Sequence, residues 1–226
     1  FTIALSVCLT QSALAEVDPN DPEAIMKAVQ AQESGDKSKS SLTIRIVDGG
    51  GAERVRQVKS FAMDFADAQG VKGTKQIMYF LEPEDIRGTG LLSVDYDDGS
   101  RDDDQWLYLP SLAKSTRISS GDKSGSFMGT DLSYADMTQA DPAHYTYEMK
   151  KPSVKLKVDG KAEECWLIKS TPKTEKAKSE TGYTHSYVWV SKEKMMPLKI
   201  IASIRKGRRI KQILFRGVKR VNGFWT

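Results

Sequence analysis

From residue 41 onward, apolar side chains recur at every second position. Leu42, Ile44 and Ile46 alternate with Thr43 and Arg45, so the three aliphatics share one face of a strand. Phe61, Met63 and Phe65 do the same within 55–65, as do Tyr145, Tyr147 and Met149. Tyr183, His185, Tyr187 and Trp189 form an aromatic stripe, and Leu198, Ile200, Ala202 and Ile204 an aliphatic one. Residues 76–81 are apolar on both faces, the pattern of a strand covered on both sides. Residues 106–109 form a short strand closed by Pro110. Gly49-Gly50-Gly51, Asp98-Gly99, Asp159-Gly160 and Lys206-Gly207 punctuate these runs as turns. About ten short strands with no long helix between them predict a mainly-β (α+β) fold built on one antiparallel sheet, and a sheet that wide must curl.

Two short helices complete the pattern. Asp21 is an N-cap followed by Pro22 at the first helical position. Ile25, Ala28, Val29 and Gln32 follow at helical spacing, and Ser34-Gly35-Asp36 ends the run. A second helix is expected over 131–139, capped by Asp131. Helices this short need a surface to lie on. The concave apolar face of a curled sheet supplies one, and the arrangement can enclose a cavity.

Composition limits the alternatives. The chain has 226 residues with 39% hydrophobic and 28% charged side chains, enough for one packed core and too apolar for general disorder. No uncharged apolar run is long enough for a spanning helix. Residues 1–15 are uncharged and end in Ala13-Leu14-Ala15, which reads as the apolar and cleavage regions of a secretory signal peptide. Residues 16–226 then form one exported domain. Leu5-Ser6-Val7-Cys8 resembles a lipidation site, but the downstream small-residue site fits cleavage better and favours a soluble periplasmic product. Cleavage would leave Cys165 as the sole thiol, set among apolar residues and expected to be buried and inert.

Charge is divided along the chain. Residues 1–113 carry a net charge of −8 and residues 114–226 one of +12. The basic excess peaks over 205–211, with Arg216, Lys219 and Arg220 beyond. These cations alternate with aliphatics and lack the interleaved aromatics of a nucleic-acid surface, so the run reads first as a solvated hairpin face and second as a docking face for anionic headgroups. The acidic run 95–104 has Ser100 and Trp106 where a calcium loop needs Gly and Glu, and reads as a solvated turn.

No hydrolase elbow, phosphate loop or zinc-protease motif is present. The two histidines, His144 and His185, have no partners at metal-ligand spacing. Close carboxylates such as Glu82, Glu84 and Asp85 are common in a chain with 30 acidic residues and carry little catalytic weight. The expectation is therefore a protein without enzymatic activity, metal or cofactor.

The middle of the chain says more. LEPEDIRGTGL at 81–91 is followed by DQWLYLPSL at 104–112, Arg117-Ile118, and GSFMGTDLSYADM at 125–137; NGFW stands at 222–225. The order and spacing of these blocks resemble the outer-membrane lipoprotein-sorting protein family of the LolA/LolB-like superfamily, over nearly the whole chain after residue 15. Family members usually continue with further strand beyond NGFW. The resemblance implies a strongly curved antiparallel sheet, an incomplete β-barrel closed by short helices. It also implies a periplasmic carrier for a lipid or acylated lipoprotein, serving an RND-type inner-membrane transporter. Candidate lining residues are Ile25 and Val29 from the helix, and Leu42, Ile44, Ile46, Phe61, Met63, Phe65, Ile77, Tyr79, Leu198 and Ile200 from strands. Phe127 and Met128 sit at the apolar tip of the glycine-rich loop 121–129, either a mobile lid or a pinned loop. The competing reading of each is ordinary core. A second function reading is an interaction module whose cavity is filled by its own side chains; a third is a carboxylate hydrolase.

Overall fold

A computed structural model describes residues 17–32, 35–47, 50–97, 101–205 and 210–226. The expected signal peptide and Cys8 lie outside the described residues. The chain forms two antiparallel meanders. The first contains β1 (Lys37–Val47), β2 (Glu53–Ala66), β3 (Lys72–Glu82), β4 (Gly90–Tyr96), β5 (Asp104–Leu109) and β6 (Lys114–Arg117), paired in chain order. The second contains β7 (Tyr145–Val158), β8 (Lys161–Pro172), β9 (Tyr183–Ser191), β10 (Pro197–Ile204) and β11 (Ile210–Leu214), again in chain order. A small hairpin of β12 (Arg220–Val221) and β13 (Phe224–Trp225) follows. The mainly-β class matches expectation, but the predicted single sheet is divided in two and the sheets do not close into a barrel.

α1 (Pro22–Gln30) begins as the sequence indicates: the Asp21 carboxylate accepts hydrogen bonds from the backbone N–H groups of Glu23 and Ala24, at 2.8 and 3.1 Å. Its apolar stripe lies on the second sheet, where fully buried Ile25 meets Trp166, Ile168, Val188 and Val190. We call this side of each sheet its inner face. α2 (Glu175–Thr181), which apolar periodicity does not reveal, buries only Ala177. Its signal lies at its ends: the Thr174 hydroxyl accepts from Ala177 N–H at 3.2 Å, and Gly182 closes it at φ +68°.

Two expected patterns are altered by local geometry. The second helix does not span 131–139. A single 3₁₀ turn covers Tyr134–Met137, capped by Ser133 rather than Asp131, and Thr138 is already extended. Along β10, Leu198 and Ile200 do not share a face. A register shift between Pro197 and Lys199 turns Leu198 toward Val158 and Cys165 on the outer side, while Ile200 packs with the α1 cluster inside.

Ile25→Ala is expected to cost about 3 kcal/mol of unfolding free energy, as for other buried aliphatic truncations. Val29→Ala, at a half-buried position, should cost less. Urea unfolding of both variants checks the order.

Candidate ligand-binding site

The fourteen candidate lining residues fall into four places. Ile25, Val29 and Ile200 lie together between α1 and the second sheet. Ile44, Phe127 and Met128 belong to a cluster on the inner face of the first sheet, with Val58, Met78, Phe80 and Leu91. Ile46 and Leu42 share that face by register; Ile46 is buried, and Leu42 is 42% exposed near the sheet edge. Leu198 packs on the outer side of the second sheet. The remaining five, Phe61, Met63, Phe65, Ile77 and Tyr79, stand on the outer face of the first sheet, because Phe80 and Met78 point inward between them. Met63 and Ile77 on that face are 46% and 44% exposed, contrary to the expectation that residues 76–81 form a strand covered on both sides.

The loop between β6 and β7 is a pinned segment that crosses both inner faces. Ser126 and Ser133 form a β-bridge, and Phe127 N–H donates to Leu132 O at 2.7 Å. The Thr130 hydroxyl donates to Phe127 O at 2.6 Å. This tight loop presents Phe127 to the first sheet, where it is fully buried and its ring centroid lies 5.8 Å from Phe80 and 5.7 Å from Tyr134. Buried Gln105 donates through Nε2 to Tyr134 O at 3.0 Å.

Ten residues on from Ser126, the segment is tied to the second sheet. Lys211 Nζ donates to Asp136 Oδ2 at 2.7 Å and to the Tyr183 oxygen at 2.9 Å. The Tyr183 hydroxyl donates to Asp136 Oδ1 at 2.5 Å. Ser133 completes the set, with its N–H and hydroxyl at 2.7 and 2.9 Å from Asp136 Oδ2. The Lys211 and Asp136 side chains are only 8% and 9% exposed. Burial, together with the neighbouring Asp136 charge, holds the Tyr183 phenol well above its usual range. Lys211 thus departs from the expected solvated face. No periodicity marks it, and its partners lie 75 and 28 residues away, so pattern reading had no access to the triad.

A second polar group braces the same segment. Buried Lys123 pairs with Glu180 of α2 at 3.2 Å and donates to Asp103 O at 3.3 Å. Beside it, Asp95 lines a mostly polar hollow of about 100 Å³, with Asp103, His144, Tyr145 and Glu180 among its neighbours. Burial, then the charge of Asp103, pushes Asp95 up to about 7, although Lys123 opposes the shift. Its Oδ1 has no hydrogen-bond partner. The acidic run is therefore partly interior, not a wholly solvated turn.

Two inner-face donors also lack acceptors: Arg56 Nε and Trp166 Nε1. Arg56 lies over the Phe80 ring, 5.9 Å from its centroid. The Cys165 thiol is buried and its pKa is pushed up to about 11 by that burial, which makes it a poor nucleophile. Among the described residues no group of three or more His, Cys, Asp or Glu is placed to hold a metal. No helix of the described residues is long and apolar enough to cross a membrane.

Antiparallel sheets that do not close into a barrel, with helices laid against them, match the fold of LolA-superfamily proteins. A LolA superfamily protein from Nitrosomonas europaea superposes with a TM-score of 0.59 at 19% identity, over 90% of this chain and 80% of its own. A domain from Vibrio parahaemolyticus, described as an outer membrane lipoprotein-sorting protein, gives a TM-score of 0.74 at 27% identity, over 92% of this chain and 83% of its own. A DUF1329 family protein from Desulfovibrio piger gives 0.76 at 28% identity, over 91% and 83%. A family model described only as an uncharacterized protein matches residues 72–226, and the chain belongs to that family, DUF1329. No curated protein matches the sequence.

Asp136→Ala leaves Lys211 buried and unpaired and should cost about 3–5 kcal/mol, whereas the double variant Asp136→Ala/Lys211→Met should recover most of it; a double-mutant cycle by chemical unfolding tests this. For Asp95, the folded value lies above the ordinary 3.8, so charging it opposes folding and stability falls as pH rises from about 4 through about 7. Asp95→Asn should accordingly raise the melting temperature more at pH 8 than at pH 5, measured by calorimetry.

Proposed function

We propose that this protein is a periplasmic, non-enzymatic carrier that shelters the acyl chain of a lipid or acylated lipoprotein on its inner faces. The observation that carries this reading is the way those faces are covered. Apolar surface on both sheets is closed by α1 and by a segment that packs Phe127, Met128, Leu132, Tyr134 and Met137 against the first sheet and is anchored by polar contacts. An acyl chain gains about 0.8 kcal/mol per buried CH₂ and can take the place of such a segment. The unpaired Arg56 Nε and Trp166 Nε1 suit the ester or amide carbonyl of an acylated ligand. The fold shared with the lipoprotein-sorting domain of Vibrio parahaemolyticus supports the same class of cargo. On this reading an RND-type inner-membrane transporter is the fitting partner for handing over cargo, and nucleic acid has no part.

One observation favours the second reading, an interaction module that carries nothing: Phe127 is fully buried and already fills the space an acyl chain would take. The readings part on whether the segment yields. Protein purified from a periplasmic extract should release a stoichiometric acylated species in native mass spectrometry and solvent extraction. Asp136→Ala/Lys211→Met, which unties the segment, should bind a fluorescent fatty acid at least tenfold more tightly than the parent. If both proteins are empty and neither binds the probe, the interaction module is correct.

A further inference from the structure

We propose that the outer face of the first sheet docks on a bilayer surface bearing anionic phospholipid. The inference uses the face opposite the inner-face site and holds whether or not the protein carries an acyl chain.

Strand register arranges this face in three neighbouring rows. The central row runs Lys39, Phe61, Ile77, Leu92, Trp106, Arg117 from β1 to β6. The next runs Ser41, Lys59, Tyr79, Gly90, Tyr108, Ser115, and the row on the other side Lys37, Met63, Lys75, Val94, Asp104. Apolar and aromatic side chains thus occupy the middle, with cations toward the β1 edge and at Arg117. Met63, Ile77 and Tyr108, one from each row, are 46%, 44% and 41% exposed, high values for large apolar side chains. A hollow of about 630 Å³ opens over Gly90, walled by Ile77, Tyr79, Leu92, Trp106 and Tyr108. Phe61 stacks on Tyr79 at 5.9 Å, Lys39 lies 5.6 Å from the Phe61 ring, and Lys75 lies 4.3 Å from the Phe65 ring. The apolar surface and the cations are therefore held as one unit.

Within these three rows the unpaired charge has one sign. Asp104 is the only carboxylate in the three rows, and it is ion-paired with Arg117. Lys37, Lys39, Lys59 and Lys75 remain to face an outside anion. That charge excludes a second copy as occupant, because a two-fold contact would set the lysine-bearing face against itself. It fits a surface with apolar depth and negative headgroups. Trp, Tyr and Phe settle at the headgroup level, and each Lys near an anionic leaflet contributes about 1 kcal/mol, screened over about 8 Å at physiological salt.

The test is co-sedimentation of the full chain with phosphatidylcholine vesicles, with and without phosphatidylglycerol. Binding is expected only with phosphatidylglycerol, and it should weaken as salt is raised. Lys39→Gln/Lys59→Gln/Lys75→Gln should lower affinity roughly 100-fold, from three headgroup contacts of about 1 kcal/mol each. Ile77→Ser/Tyr108→Ser, at exposed positions, should weaken binding while the melting temperature holds. No binding to anionic vesicles, equal binding to neutral ones, or an unaffected triple variant overturns the proposal. So does a dimer in vesicle-free buffer that Ile77→Ser/Tyr108→Ser dissolves, which would assign the face to a second copy.

Discussion

Among the described residues no strand of one sheet pairs with a strand of the other, so the relative placement of the sheets rests on side chains. Asp136 is where that placement is decided. Its carboxylate accepts from Lys211, Tyr183 and Ser133 at once, and it joins the crossing segment to β9 and β11. Burying an ion pair is costly unless every lone pair finds a donor, and here the donors are present. Such a group adds little net stability, yet it tolerates one arrangement only. With Asp136 fixed on the second sheet, Phe127 a few residues earlier must meet the first. The apolar contact and the polar contact therefore constrain each other through a short stretch of chain.

Pattern reading reached the elements more readily than the assembly. The alternation of Leu42, Ile44 and Ile46, and the cap at Asp21, follow from local geometry and were legible for that reason. Failures arose where a single residue changed phase. The bulge near Leu198 sends it outward although the alternation with Ile200 is unbroken in the sequence. Helix α2 escaped because its short polar run has no apolar stripe, only a Thr cap and a Gly stop. Residues 76–81 looked doubly covered because apolar content does not say what lies above a strand; Ile77 and Tyr79 prove to face outward. The candidate site was half visible. Ile25, Ile44 and Phe127 do reach the inner faces, but Asp136, Tyr183 and Lys211 come from three distant stretches that only the fold unites.

The two faces of the first sheet make a physical contrast. Inside, Val58, Met78, Phe80 and Leu91 are sealed by the chain's own Phe127. Outside, a comparable set of aromatic and aliphatic side chains is left partly exposed and is fringed by lysine. Both faces arise from the same strands, since neighbouring residues of β2 to β5 point to opposite sides. A sheet of this kind cannot be solvated on one side and packed on the other in the usual alternation of polar and apolar positions. Its sequence is apolar in both phases, and each phase has been given different surroundings.

Topology sets how this molecule comes together. Every strand of the two meanders pairs with its neighbour in sequence, so contact order is low and each ladder can form from a hairpin as the chain becomes available. Long loop closures come only when α1 reaches β8 and β9 and when residues 123–137 meet β9 and β11. The late event is then the locking of two nearly complete halves, and a chain halted before that point would hold both sheets with their inner surfaces bare.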